Sequence, residues 1–353
     1  MAQLFQPLDL RGVTLRNRIG VSPMCQYSSI DGFASDWHVV HLGSRAVGGA
    51  GLVMTEATSV EARGRISPHD LGIWDDAHIP VLTRVTAAVQ AQGAVAGVQL
   101  AHAGRKASTA RPWQGGQPLS AAEGGWLPIG ASALAFRPEA QVPTAASLDD
   151  LAVIRGAFRS AAERALRAGF RFVELHAAHG YLLHSFLSPL SNTRSDAYGG
   201  SFENRCRLLL EVVRDVREVW PDDLPLSVRL SCTDWLEGGW ALADSVELAR
   251  RLKPAGVDIV DCSSGGSSLA AKVPLGPGYQ VPFASAIRQQ AGICTAAVGL
   301  ITDAEQAEAV IADGHADLVL LGRALLRDPY WPLGAARALG ATAPIPSQYL
   351  RAF

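Results

Sequence analysis

Phe170-Arg-Phe-Val-Glu-Leu-His176-Ala-Ala-His179-Gly-Tyr181 decides how this chain is read. Phe172 to Leu175 is a short apolar run of strand character, and it delivers His176 at its carboxyl end. His179 and Tyr181 follow within one turn. In a parallel α/β protein the carboxyl ends of strands are where ligands bind and chemistry occurs. Two imidazoles and a phenol set together make a cradle for a carbonyl or phenolate oxygen, with a proton source beside it. A single histidine at a strand end is usually a packing residue held by a hydrogen bond. Three such rings within six positions point to a site.

Outward from this stretch, short apolar strands alternate with amphipathic helices. The strands are expected at Ile19–Met24, Leu52–Ala57, Val95–Leu100, Phe172–His176, Leu226–Leu230, Asp258–Cys262, Thr295–Val298 and Leu318–Leu321. Helices are expected at Trp37–Val47, Ile79–Ala91, Asp149–Ala168, Phe202–Val219, Leu242–Lys253, Phe283–Gln290 and Ala304–Ala312, with one more after Gly322. Asp149, Asp244 and Asp303 mark helix starts, and Gly169, Gly256 and Gly314 close helices. Eight strands, each followed by a helix, predict an α/β fold of one closed parallel (β/α)8 TIM barrel, a single domain over 1–353. The rival, a doubly wound sheet, usually shows GxGxxG after its first strand, and that pattern does not occur here. Two excursions break the rhythm. Leu4 to Arg18 reads as an N-terminal hairpin that plugs the barrel bottom. His102 to Pro143 is a long loop after strand 3, rich in Gly, Pro, Trp and Ala and placed to form a lid.

The chain has 353 residues, a net charge of −2 and 48% hydrophobic residues, enough for a large core. No basic stripe points to nucleic acid, and no apolar run approaches the roughly 18 residues of a membrane span. The N-terminal residues lack the charged and apolar regions of a signal peptide. Cys25, Cys206, Cys232, Cys262 and Cys294 are scattered, with no CxxC pair. That spacing suits reduced thiols in the cytoplasm and no metal or disulfide framework.

A barrel brings its strand ends together. Here they supply Ser22-Pro-Met-Cys25-Gln-Tyr27, Glu56-Ala57-Thr58, Gln99 with His102, the His176/His179/Tyr181 set, Arg229, Ser263-Ser-Gly-Gly, Gly299 and Gly322-Arg323. Amide, thiol, cation, phenol and glycine suit a flat, polar, electron-rich cofactor better than a hydrolytic metal. Gly299 and Gly322 each follow an apolar strand. In such barrels the loops after strands 7 and 8 commonly hold phosphate, and Arg323 would add a charge-assisted contact. Arg229 is costly to bury and needs a partner. Either Glu56 or Asp261 pairs with it, or it stands beside the electron-rich edge of a reduced flavin. Gln99 can donate and accept, as the pyrimidine edge of a flavin requires, or it is an ordinary barrel hydrogen bond. Cys25 reads as a small buried hydrophobe, a residue tuning a cofactor's potential, or a nucleophile with His176 or His179 as base.

Several runs together resemble the Old Yellow Enzyme family of FMN-dependent ene-reductases over nearly the whole chain. They include Phe5-Gln-Pro-Leu, Arg16-Asn-Arg18-Ile, Ser22-Pro-Met-Cys25-Gln-Tyr27, Thr55-Glu-Ala57-Thr and Gln99-Leu-Ala-His102-Ala-Gly-Arg-Lys. They continue with His176-Ala-Ala-His179-Gly-Tyr181-Leu-Leu, Phe186-Leu-Ser-Pro and the specific run Asn192-Thr-Arg-Ser-Asp-Ala-Tyr-Gly-Gly-Ser-Phe-Glu-Asn-Arg205. Cys25, Tyr27, the His176/His179 pair and Gln348-Tyr349-Leu-Arg351 resemble the thermophilic-like and xenobiotic-reductase branch.

The resemblance implies that Ser22, Pro23, Met24, Cys25, Ala57, Gln99, Arg229, Gly299, Gly322 and Arg323 contact a tightly bound, non-covalent FMN. It implies that His176 and His179 hold the substrate's carbonyl or nitro group, that Tyr181 donates the proton, that Tyr27 shapes the pocket, and that Cys25 modulates the flavin. NADPH or NADH would be the hydride donor, and enones, nitroalkenes and phenols the ligands, by ping-pong transfer. The tail, residues 344–353, ends in Tyr349, Arg351 and Phe353. It is expected at the interface of a homodimer or dimer of dimers, with Arg351 in the partner's pocket. The alternative is a metal-dependent barrel hydrolase using His176 and His179 as ligands, which would still want a third ligand. A Schiff-base aldolase needs a lysine at a strand end, and Lys106, Lys253 and Lys272 are not placed there.

Overall fold

The computed structural model describes residues 2–343 and 345–352. Met1, Pro344 and Phe353 lie outside the described residues, so those two positions of the expected interface tail are not placed. Eight parallel strands close on themselves in chain order. They are β1 (Ile19–Val21), β2 (Leu52–Ser59), β3 (Val95–Ala101), β4 (Phe172–Ala177), β5 (Leu226–Ser231), β6 (Ile259–Ser263), β7 (Cys294–Ala297) and β8 (Leu318–Leu321). Among the described residues the α-helices are α1 (Asp36–Val47), α2 (Ile79–Gln90), α3 (Leu148–Arg167), α4 (Leu182–Leu187), α5 (Phe202–Arg217), α6 (Leu242–Leu252), α7 (Val281–Ala291), α8 (Ala304–Ala312), α9 (Arg323–Arg327) and α10 (Trp331–Ala338).

The strands are buried on both faces, which is why they read as unbroken apolar runs without alternation. The longer helices bury one stripe each, whereas the short α4 is buried throughout. In α5 that stripe is Cys206, Leu208, Leu209, Val212, Val213 and Val216, at helical spacing. Of the three expected helix starts, Asp303 caps α8 by accepting from Gln306 N at 2.8 Å. The other two need correction. Ser147 caps α3, and its partner Asp150 accepts from Ser147 N at 3.1 Å. Asp244 lies inside α6 and accepts from Ala241 N at 2.9 Å. The reason is the capping box, in which the acid three residues into the helix reaches back to the cap. Gly169, Gly256 and Gly314 all have positive φ, as helix closers should.

Leu8–Leu10 and Val13–Leu15 form the expected antiparallel hairpin. Its turn reaches the loops that enter β5 and β6. Gly12 N donates to Asp223 O at 2.8 Å, and Arg11 Nε donates to Asp258 Oδ1 at 2.6 Å. The hairpin therefore covers the N-terminal end of the barrel, with Leu4 and Leu15 fully buried. The opposite end carries the long loop after β3. That loop is pinned by Trp126 Nε1 to Arg63 O, 2.8 Å, and by a short parallel pairing of Ile129–Gly130 with Thr144–Ala145. No helix among the described residues is long and apolar enough to cross a membrane.

Candidate active site

β4 ends where the sequence places it, and its three rings converge. His176 stands edge to face with His179, centroids 5.1 Å apart, and with Tyr181, 5.0 Å apart. The turn between them is left-handed. His179 has φ 60°, a conformation a non-glycine residue holds only when its surroundings fix it. Three contacts do so. His179 N donates to Ser231 Oγ at 2.9 Å, its Nε2 lies 2.7 Å from Ser263 Oγ, and its carbonyl accepts from Lys106 Nζ at 2.8 Å. Below, Gly180 N donates to His184 Nδ1 at 2.8 Å, and His184 Nε2 lies 3.3 Å from Asp234 Oδ1.

His176 is buried, while His179 and Tyr181 keep an edge open to solvent. Desolvation, then the nearby Arg229 cation, holds both imidazoles well below the ordinary histidine range, so they are neutral at neutral pH. His176 Nδ1 faces the Ala178 N–H at 3.4 Å, which assigns the ring proton to Nε2. Burial, then Cys25 and Asp70, push the Tyr181 phenol up, so it keeps its proton. Neutral donors beside a protonated phenol can stabilise a developing oxyanion and supply a proton.

The first cavity, about 250 Å³, opens between the ends of β5 to β8, and its wall meets the rings through Ser263, which holds His179. Arg229, Ser263, Gln280, Gly299, Gly322 and Arg323 all border it. The register sets His176 beside Arg229 and Arg229 beside Asp261. Arg229 Nε lies 3.0 Å from Asp261 Oδ2, without the alignment of a hydrogen bond. Glu56 is not its partner, because Glu56 already accepts from Gln26 N at 2.8 Å and meets His38 Nε2 at 3.1 Å. Burial, against the pull of Arg229 and with Glu174 nearby, pushes Asp261 up to about 8, and burial also raises Glu174. Arg229 thus stands between two buried carboxyls, Asp261 and Glu174, and borders the cavity. Gln99 Nε2 donates to Glu174 Oε1 at 2.9 Å, so the ordinary barrel hydrogen bond holds for its nitrogen.

Ser22 N is tied to Leu321 O at 3.0 Å, which sets Pro23, Met24 and Cys25 across the mouth of β1, beside β8. A Cβ on Gly322 would come within 3.5 Å of Met24 Sδ. Ala57 is in register with Gln99. Gly299 is required by its φ of 123° and by Gln280, whose Nε2 would stand 2.9 Å from an added Cβ. Close approach to a ligand is therefore not its only reason to be glycine. Tyr27 is also left-handed, φ 49°, and packs edge to face on Trp113 from the long loop, 5.8 Å away. Burial, then Asp70 and Glu56, raise the Cys25 thiol well above its ordinary value. That favours the neutral thiol over a nucleophile.

One position, Lys106, differs from the sequence reading, whereas Arg351 is expected in a partner's pocket and not in this chain's own. Arg351 is exposed in the turn Ser347–Ala352, which packs Tyr349 on Tyr330 at 5.9 Å, and it lines neither cavity bordering the rings. Lys106, five residues beyond β3, does reach the ring cluster. Besides His179 O, its amine donates to Gly266 O at 3.2 Å and stands 4.9 Å from the Tyr181 ring centre. Both carbonyls hold the amine where a Schiff-base lysine would need it free. His102 Nε2 pairs with Glu61 at 3.1 Å and serves packing. Among the described residues no group of three or more His, Cys, Asp or Glu is arranged to hold a metal ion, so His176 and His179 lack the third ligand a hydrolase would want.

The barrel, its buried Arg229 and its glycine-edged cavity fit a flavin-dependent oxidoreductase. Residues 3–340 match the family described as NADH:flavin oxidoreductase / NADH oxidase, and the chain belongs to that family. It is 48% identical to an NADPH dehydrogenase of Halalkalibacterium halodurans, covering 99% of each chain. It is 49% identical to the NADPH dehydrogenase of Geobacillus thermodenitrificans, covering 99% of this chain and 98% of that one. Among solved structures it superposes on morphinone reductase in complex with tetrahydroNAD with a TM-score of 0.79, at 31% identity over 96% of this chain and 91% of that one. The old yellow enzyme homologue from Zymomonas mobilis gives 0.79 at 26% identity, over 96% and 93%. 2-Naphthoyl-CoA reductase gives 0.86 at 25% identity over 96% of this chain, which spans 52% of that longer protein. The protein is thus an FMN-dependent NAD(P)H oxidoreductase of the Old Yellow Enzyme type.

Proposed function

We propose that the protein reduces activated C=C bonds of α,β-unsaturated carbonyl and nitro compounds, using one site for both half-reactions of a ping-pong cycle. The observation that carries this is the convergence of two neutral imidazoles and a protonated phenol beside the cavity of Arg229. Bound FMN would supply the hydride chemistry that links NADPH or NADH to the β-carbon of the alkene. Ser22, Pro23, Met24, Ala57, Gln99, Gly299, Gly322 and Arg323 would hold it, with Arg229 supplying charge to its electron-rich edge. Cys25 would tune its potential.

His176 and His179 bind the activating oxygen and stabilise the negative charge that develops there. Tyr181 gives its proton to the α-carbon. Tyr27 and Trp113 wall the pocket, and phenols occupy the same cradle as phenolates. The working unit is a cytoplasmic homodimer or dimer of dimers built on single-domain chains, in which Arg351 enters the partner's pocket.

Anaerobic stopped-flow tests the cycle. NADPH alone should bleach the flavin absorbance. Cyclohex-2-en-1-one added afterwards should restore it, with one cyclohexanone formed per flavin. Intersecting double-reciprocal lines in steady state, in place of parallel ones, would overturn the shared-site cycle.

A further inference from the structure

Beyond Tyr181 lies a second cavity of about 170 Å³, whose charges the chemistry above leaves unused. Arg105, Lys106, Gly116, Phe136, Arg137 and Tyr181 are among the residues that enclose it. Arg105 is 7% exposed. Its Nη2 donates to Ser267 O at 2.6 Å, and its Nε has no partner. Lys106 is held by two carbonyls and stands 4.4 Å over the Phe136 ring. Arg137 donates to Gly116 O.

Among the described residues, none of these three cations forms an ion pair with a carboxylate. Elsewhere the protein pairs such groups. Arg63 meets Glu61 and Asp150, Arg155 meets Glu211 and Asp215, and Arg194 meets Asp196. Three cations around one partly closed cavity repel each other and lose hydration, a cost that a bound anion offsets. Burial, then Arg105 and Arg137, lower Lys106 to about 8, which records that repulsion and still leaves the amine charged at neutral pH.

We propose that this cavity is an anion subsite, taking a carboxylate or phosphate of a small molecule whose apolar body lies against Tyr181 and Phe136. The proposal rests on the reading of the His176/His179/Tyr181 pocket as the substrate site, and it names the class of substrate that pocket favours. The anion has two possible sources. One is a carboxylate on the reducible substrate, and the other is the 2′-phosphate of the nicotinamide dinucleotide.

Titration calorimetry of the FMN-loaded enzyme reads the subsite without turnover. N-phenylsuccinimide and 4-succinimidobenzoate are unreactive and differ by one carboxylate. The benzoate should bind about tenfold more tightly, the scale of one charge-assisted hydrogen bond. Arg137→Gln should erase that preference, and Arg137→Lys should keep most of it. NADP+ and NAD+ titrated against the same variants identify the source. A preference for NADP+ that alone disappears in Arg137→Gln assigns the cavity to the phosphate. Equal affinities within both pairs, or preferences that Arg137→Gln leaves intact, would overturn the subsite. A failure of N-phenylmaleimide to be reduced would count against ene-reduction and would leave the binding comparison standing.

Discussion

The rings of His176 and Tyr181 stand edge to face, centroids 5.0 Å apart and planes at 72°. This contact joins the end of β4 to the N-cap of α4, so the two rings proposed as oxygen cradle and proton donor pack directly on each other. Ser263 ties His179 to the end of β6, and Lys106 ties the same loop to Gly266. The left-handed turn that places His179 is therefore held by contacts from three other segments.

The paired imidazoles make the first prediction. Because both are neutral, their role is to donate hydrogen bonds, not to carry charge. Phenols should give a long-wavelength charge-transfer band with the oxidised flavin. In the His176→Ala/His179→Ala double variant that band should vanish, with phenol affinity down at least about tenfold and FMN retained. Absorbance titration with 4-chlorophenol checks this, and an unchanged band would remove the histidines from the site.

The raised thiol of Cys25 makes the second. Cys25→Ala should fold, keep FMN and turn over, with a shifted flavin potential measured by dye-coupled titration. Loss of all turnover with the flavin still bound would restore the nucleophile reading.

Asp70 makes the third. It accepts from Ile66 N at 2.6 Å and from Ser67, yet burial and the nearby Glu56 push it up to about 7. Its folded pKa exceeds the unfolded value of about 3.9. The native state therefore binds more protons between about pH 4 and about pH 7, and this contribution to stability is lost as pH rises through that window. Asp70→Asn removes the slope. The melting temperature of wild type minus that of the variant should fall by several degrees from about pH 4.5 to about pH 7.5 and flatten above. A difference that grows with pH would mean that Asp70 is stabilised as the anion.

Much of this was legible in sequence because the barrel writes itself in a regular hand. Strands buried on both faces are bounded apolar runs, and the observed strands differ from the expected ones by a few residues at their ends. The convergence of the three rings was legible because they sit on one strand and one turn. Partners contributed from elsewhere were not. That Glu56 is taken by His38, leaving Asp261 for Arg229, depends on how α1 packs on β2. Lys106 reads as a loop lysine until the fold carries it under Phe136 to the carbonyls of two different loops. The cap of α3 was displaced by two residues and that of α6 by three, although Ser147-Leu-Asp-Asp150 carries the capping-box signal.

The exposed tail makes the fourth prediction. Tyr349 packs on Tyr330, while Leu350 and Arg351 face outward. Deleting residues 348–353 should weaken self-association in sedimentation velocity and raise the KM for enones, with each barrel still folded by circular dichroism. Unchanged mass and unchanged kinetics would contradict a shared pocket.

The central claim is that Tyr181 supplies the proton in the oxidative half-reaction alone, and stopped-flow on Tyr181→Phe tests it most directly. The ring remains and only the hydroxyl is lost. Flavin reduction by NADPH should stay within about threefold of wild type, while reoxidation by cyclohex-2-en-1-one should slow by about 10- to 100-fold, the scale of one general acid. Slowed reduction with normal reoxidation would contradict the account.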